Sequence, residues 1–132
     1  MPLVKIPDGG GSFLSLMEYG PDKFRGPPEL PEQQLCDVKN VDIRDDDVIL
    51  LSYPKSGCHW LWEMTSMFLA GSSEAETVEK ENYMMEYVSH EKLQKLPSPR
   101  VLNTHLRFEE LPEKIRNGKV SSLCHHIIWL YT

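Results

Sequence analysis

The residues best suited to chemistry lie where two apolar runs meet, in the segment ILLSYPKSGCHWLWEM at residues 49–64. Lys55 offers a positive charge, Ser56 a hydroxyl donor, and Gly57 a backbone that a ligand can approach closely. A loop between a strand and a helix presents unpaired N–H groups and the positive end of the helix dipole, where anions bind. The segment therefore predicts a cradle for a phosphate-like anion. An exposed lysine beside an ordinary glycine turn is the alternative interpretation.

The flanking runs predict the elements that position this loop. The segment DDDVILLSY is a short unbroken apolar run after three aspartates, which is typical of a strand buried on both faces of a parallel sheet. After Gly57 the apolar residues recur at helical spacing and predict one stripe of a helix. The residues of this stripe are Trp60, Leu61, Met64, Met67 and Phe68.

The remaining pattern predicts an α/β fold. Residues 72–94 indicate one or two helices, SPRVLNTH at residues 98–105 indicates a second strand, and a helix is expected from near Glu109 to Asn117-Gly118. This order of strand and helix predicts a parallel sheet flanked by helices. Residues 1–34 contain three consecutive glycines and six of the ten prolines, so an irregular, largely extended lead-in is expected there.

Composition narrows the class of protein. A chain of 132 residues has the length of one ordinary domain, and its net charge of -6 argues against a nucleic-acid surface. Three widely spaced cysteines favour reduced thiols, and no apolar run is long enough to span a membrane. A cytoplasmic protein with no membrane or nucleic-acid partner is expected. The usual nucleotide loop, G-x-x-x-x-G-K-[ST], is absent because Lys55 precedes Gly57, which disfavours a nucleotide kinase.

Two blocks of the sequence resemble the cytosolic sulfotransferase family. The segment YPKSGCHW at residues 53–60 is similar to the family's Y-P-K-S-G-T-T-W loop, and DDDVILLSYPKSG resembles the strand that leads into it. Downstream, PRVLNTHLRFEELPEKI at residues 99–115 is similar to P-R-[VL]-[IL]-K-T-H-L-P-x-x-x-L-P. The resemblance covers roughly residues 38–120 and implies a P-loop-like parallel sheet.

The resemblance also implies an activity and a set of site residues. Family members transfer a sulfuryl group from 3′-phosphoadenosine-5′-phosphosulfate to a phenol, alcohol or amine of a small molecule, without a metal. His105 would be the general base and Lys55 would neutralise charge on the leaving nucleotide. The donor would be held by Lys55, Ser56, Gly57, Cys58, His59 and Trp60. By residue type alone, a histidine at a strand end is more often structural than catalytic.

Four positions depart from the family pattern. Cys58 and His59 replace two threonines, which removes two hydroxyl donors to phosphate and leaves the backbone N–H groups. Asn103 stands where the family has a lysine that supports the transferring group. Losing such a contact raises the free-energy barrier to transfer by about 2 to 4 kcal/mol. Arg107 replaces a proline.

The end of the chain departs furthest, because SSLCHHIIWLYT follows Val120 and indicates a divergent apolar strand or an ending unrelated to the family. By the resemblance, residues 35–132 form the N-terminal part of a truncated domain, without the 3′-phosphate site, the dimerisation segment or strand partners for residues 48–51. A catalytically silent family member is the alternative to an active enzyme. Cys124, His125 and His126 lack two further ligands at suitable spacing, so no metal site is predicted.

Overall fold

Two three-stranded sheets organise the chain in the computed structural model, which describes residues 2–19, 24–26, 32–54, 56–74 and 78–125. The strands are β1 (Leu3–Pro7), β2 (Phe13–Tyr19), β3 (Phe24–Gly26), β4 (Val48–Ser52), β5 (Val101–Thr104) and β6 (Ser121–His125). The α-helices are α1 (Glu32–Asp37), α2 (Cys58–Ala70), α3 (His90–Lys95) and α4 (Glu113–Arg116). Three 3₁₀ helices lie at Val38–Asn40, Lys80–Tyr83 and Phe108–Glu110.

The central sheet is parallel and has the order β5-β4-β6. Strand β4 pairs with β5 from Val48↔Val101 to Leu51↔Thr104, and with β6 on its other edge. The predicted α/β fold with a parallel sheet is thereby confirmed. The expectation that β4 lacks strand partners is wrong, because the tail after Val120 supplies β6.

The lead-in over residues 1–34 was expected to be irregular and largely extended; much of it is extended, but it is regular rather than irregular. Strands β1, β2 and β3 form an antiparallel sheet in chain order. The glycine run makes the β1–β2 turn, in which the Asp8 side chain accepts hydrogen bonds from the backbone N–H groups of Gly10 and Ser12. The many glycines and prolines of this segment indicated irregular structure, so the sequence did not predict the hairpin. The division into residues 1–34 and 35–132 stays a prediction.

Helix α2 is confirmed, but it buries a different face from the one its apolar stripe predicts. Trp60 is 72% exposed and Phe68 is 85% exposed, whereas Trp62 is 2% exposed. The side toward the sheet carries Cys58, Trp62 and Ser66, which are all buried. Because α2 has apolar residues on both faces, periodicity alone selected the longer stripe rather than the buried one.

Trp62 is expected to contribute far more to stability than Trp60. Its ring lies 5.4 Å from that of Tyr83, and its Nε1 donates a 2.9 Å hydrogen bond to the Val101 carbonyl oxygen. We expect Trp62→Ala to lower the free energy of unfolding by about 3 to 5 kcal/mol. The matched change Trp60→Ala is expected to stay within about 0.5 kcal/mol, since that side chain is exposed. Chemical denaturation of both variants measures this, and equal losses would contradict the assignment of the buried face.

The segments around β5 differ from a simple helix pattern. The 3₁₀ helix Lys80–Tyr83 and α3 account for the helices predicted within residues 72–94. The single helix predicted from Glu109 is wrong, because Leu111 and Pro112 separate the 3₁₀ helix Phe108–Glu110 from α4. The predicted helix end is confirmed, with Asn117 as the C-cap and Gly118 at a φ of 66°.

A buried ion pair connects the starts of β4 and β5. The Arg100 guanidinium donates to both carboxylate oxygens of Asp47, and neither side chain is exposed to solvent. Arg100 also donates to the backbone carbonyl oxygens of Asp42 and Leu93, and Asp47 accepts from the N–H of Arg44. This network fixes the two strands whose far ends form the candidate site. In the described part of the chain, no helix is long and apolar enough to cross a membrane.

Candidate functional site

The loop predicted to hold an anion follows β4 directly and leads into α2. Lys55, its predicted cation, lies outside the residues that the structure describes. Ser56 is buried, and its Oγ donates a 2.6 Å hydrogen bond to the Tyr53 carbonyl oxygen. The backbone N–H of Ser56 donates to the same oxygen at 3.2 Å. The Ser56 hydroxyl therefore closes the turn. The sequence predicted instead that this hydroxyl would donate to a bound anion.

Gly57 sets the direction in which the helix begins. It is the N-cap of α2 with φ 86° and ψ 18°, a left-handed conformation that glycine adopts without strain. A Cβ atom at this position would meet nothing within 4 Å, so backbone conformation rather than crowding requires the glycine. Within the described residues α2 has no side-chain N-cap and no acidic residue in its first turn. Its first N–H groups are therefore available to an anion.

The three residues after Gly57 point in different directions. Cys58 is buried, with its Sγ 3.7 Å from the Lys80 ammonium. His59 and Trp60 are exposed. Of the predicted donor-binding residues, Cys58 offers a ligand only its backbone N–H, whereas His59 and Trp60 have side chains at the surface where a nucleotide could contact them.

His105 lies beside the start of this loop, immediately after β5. Its Nδ1 is 2.8 Å from the carbonyl oxygen of Ser52, the last residue of β4. A carbonyl oxygen only accepts hydrogen bonds, so Nδ1 carries the proton and the neutral ring keeps its lone pair on Nε2. The parallel pairing of β4 and β5 therefore brings together the loop and a histidine whose tautomer suits a general base.

Glu86 holds the backbone of His105 and was not predicted from the sequence. Its Oε1 accepts a 2.8 Å hydrogen bond from the His105 N–H. Complete burial raises the pKa of the Glu86 carboxyl, and the hydrogen bond from His105 opposes that rise. A buried carboxyl in contact with the histidine backbone fixes where β5 ends. A single glutamate among many acidic residues gave no sequence signal for this role.

The acid side of the stability profile is expected to depend on His105. Burial lowers the pKa of His105 below 6.5, the hydrogen bond with Ser52 opposes this, and the charge of Lys80 adds to the lowering. The unfolded chain therefore binds this proton more tightly than the folded chain does. The stabilisation that results from the neutral His105 ring is complete above pH 6.5 and is lost as the pH falls through the pKa of the folded state. The raised pKa of Glu86 acts in the opposite direction.

Comparison with His105→Gln separates the two effects. We expect the free energy of unfolding of the wild-type chain to fall more than that of His105→Gln between about pH 7.5 and about pH 5.5. Denaturant titrations at several pH values measure the difference. A steeper fall in the variant would contradict a lowered pKa for His105.

Asn103 carries a contact that the sequence did not predict. Its Oδ1 accepts a 3.2 Å hydrogen bond from the Lys80 ammonium, and its Nδ2 donates to the Lys80 carbonyl oxygen at 3.2 Å. Both side chains are buried. An isolated bridge between Met84 and Asn103 places the 3₁₀ helix of Lys80 over the end of β5. No pattern in EKENYMME indicates this arrangement.

The other departures lie at the margin of the site. Arg107 is exposed and is the N-cap of the 3₁₀ helix Phe108–Glu110. Among the described residues, no group of three or more His, Cys, Asp or Glu side chains is placed to hold a metal ion. The side chains of Cys124, His125 and His126 lie outside the described part of the structure.

Comparison with known proteins gives the family. The family described as Sulfotransferase domain matches residues 45–124, which include β4, the loop, α2 and His105. This chain belongs to the sulfotransferase family. Sulfotransferase 6B1 of mouse is 36% identical over 85 residues, which are 62% of this chain and 28% of the relative. Cytosolic sulfotransferase 13 of Arabidopsis thaliana is 28% identical over 143 residues, covering 94% of this chain and 41% of the relative.

A solved sulfotransferase supports the same assignment at the level of structure. Mouse sulfotransferase SULT7A1, solved in complex with PAP, matches with a TM-score of 0.63 and 27% identity. The match covers 83% of this chain and 38% of the mouse chain. The chain thus spans less than half the length of the sulfotransferases that it matches.

Proposed function

We propose that this chain binds 3′-phosphoadenosine-5′-phosphosulfate and transfers its sulfuryl group to a hydroxyl or amine of a small molecule. The observation that carries the proposal is the contact between His105 Nδ1 and the Ser52 carbonyl oxygen, which aligns a basic Nε2 next to the loop. Membership of the sulfotransferase family supports it, as does the PAP bound in the mouse neighbour.

The described residues fit an anionic donor. The first N–H groups of α2 have no side-chain cap, and the first turn carries no carboxylate that would repel a phosphate. Lys55 would add a charge from within the loop, as the family resemblance implies. The free thiols of Cys36 and Cys58 and the cytosolic relative support a cytoplasmic location.

The proposed reaction uses His105 on the acceptor side and the loop on the donor side. His105 Nε2 takes the proton from the acceptor hydroxyl or amine as that oxygen or nitrogen forms a bond to sulfur. The bond from sulfur to the bridging phosphate oxygen breaks, and its electron pair stays on that oxygen. The α2 N–H groups and Lys55 stabilise the negative charge that accumulates there. The products are the sulfated acceptor and 3′-phosphoadenosine-5′-phosphate.

The transfer itself is tested with labelled donor and a panel containing a phenol, an aliphatic alcohol and an amine. We expect slow formation of a sulfated product that depends on the chain, because Asn103 replaces the family lysine. If the chain is folded and binds 3′-phosphoadenosine-5′-phosphate but sulfates no member of the panel, the alternative of a catalytically silent family member is supported instead.

A further inference from the structure

Lys80 is a buried lysine without a carboxylate partner among the described residues. Its side chain is only 3% exposed. Its contacts are Asn103 Oδ1 at 3.2 Å and two sulfur atoms, Cys58 Sγ and Met84 Sδ, each at 3.7 Å. An ammonium buried against one amide and two sulfurs is poorly compensated for the water it has lost.

The buried acid Glu86 does not form an ion pair with Lys80 among the described residues. Glu86 is close enough for the charge of Lys80 to influence it, yet it uses Oε1 to hold the His105 N–H rather than to pair with Lys80. Burial raises the pKa of Glu86, which favours its uncharged form. Without an ion pair to Glu86, the Lys80 ammonium faces only the amide and sulfur atoms around it.

The position of Lys80 indicates what its charge acts on. Lys80 contacts Cys58, which is the first residue of α2. The N–H groups at this end of the helix are available to an anion. Asn103, the hydrogen-bond partner of Lys80, lies on β5 two residues before His105. Lys80 therefore contacts both the first residue of α2 and the strand that leads to His105, and its charge also contributes to the lowered pKa of His105.

We propose that Lys80 supplies, from a different segment of the chain, the positive charge that Asn103 does not provide. Its ammonium would stabilise the anionic end of the donor held at the start of α2. The proposal rests on the proposed function, since it names a further residue of the same site. It assigns Asn103 the role of holding Lys80 in place, because both polar atoms of the Asn103 amide bond to Lys80.

The test compares two double variants that differ only at position 103. Lys80→Met with Asn103→Leu removes the charge and its side-chain acceptor together, so that only the backbone carbonyl oxygen of residue 80 loses a hydrogen bond, and circular dichroism checks that the variant is folded. The second variant combines Lys80→Met with Asn103→Lys, which returns a positive charge to β5. We expect the first variant to bind 3′-phosphoadenosine-5′-phosphate roughly 10- to 100-fold more weakly than wild type, and the second to recover most of the affinity. Unchanged affinity in the charge-free variant would overturn the proposal.

A second measurement separates this inference from the proposed function. The His105 ring is titrated by NMR in the wild type and in the charge-free variant, without any nucleotide. Removal of the Lys80 charge is expected to move the His105 midpoint to higher pH. If the wild-type chain binds no nucleotide, the proposed function fails, and this titration still decides whether the charge reaches the base. An unmoved midpoint would overturn the role given to Lys80.

Discussion

Replacing His105 by alanine is expected to lower the rate of sulfuryl transfer by roughly 10²- to 10⁴-fold, the contribution of a general base. The reason is geometric, because Nδ1 bonds to the Ser52 carbonyl oxygen and only Nε2 can accept the acceptor's proton. Binding of 3′-phosphoadenosine-5′-phosphate should change little, since the base acts on the acceptor rather than on the nucleotide.

Initial rates with labelled donor measure the loss of transfer, and calorimetry measures the retained binding. His90→Gln is the control, because it removes a histidine at the start of α3 rather than the one that follows β5. Equal transfer rates for the wild type and His105→Ala would exclude His105 as the base. A parallel loss of nucleotide binding would place His105 on the donor side instead.

Asp47→Ala is expected to lower the free energy of unfolding by about 3 to 5 kcal/mol, because it leaves the buried Arg100 guanidinium without its counter-charge. The same change removes the acceptor for the Arg44 N–H, which bonds to Asp47 Oδ2 at 2.8 Å. Both ends of the lost network lie at the start of the β4–β5 pair, so the strands that carry the loop and His105 lose their anchor.

Asp45→Ala provides the control from the same run of three aspartates. Asp45 is 94% exposed and pairs with Lys114 at 2.8 Å, and surface pairs of this kind contribute little. Urea denaturation of both variants compares them directly. Similar denaturation midpoints for the two variants would contradict the claim that Asp47, rather than the whole acidic run, holds β4 and β5 together.

The local pattern of the sequence was sufficient to predict the elements that position the site. The apolar run before Tyr53, the loop with Gly57, and the strand before His105 are continuous segments whose residues determine their own conformation. Strand β4, the start of helix α2 after Gly57, and a strand within residues 98–105 were therefore predicted where they are observed. The family motifs then selected His105 from five histidines.

Contacts between distant segments were not predictable in the same way. Glu86 reaches the His105 backbone across 19 positions, and Lys80 reaches Asn103 across 23. These contacts depend on how the 3₁₀ helix Lys80–Tyr83 packs over the sheet, which no periodicity in that segment records. The buried face of α2 was also missed, because Cys58 and Ser66 are weaker apolar signals than Trp60 and Phe68.

Calorimetric titration with 3′-phosphoadenosine-5′-phosphate tests the proposal that the loop between β4 and α2 holds the phosphosulfate end of the donor. We expect saturating heat for the wild-type chain, loss of that heat in Lys55→Ala, and no change in Lys39→Ala, which removes an exposed lysine outside the loop. No saturating heat from a chain shown by circular dichroism to be folded, or equal heat from Lys55→Ala, would contradict it.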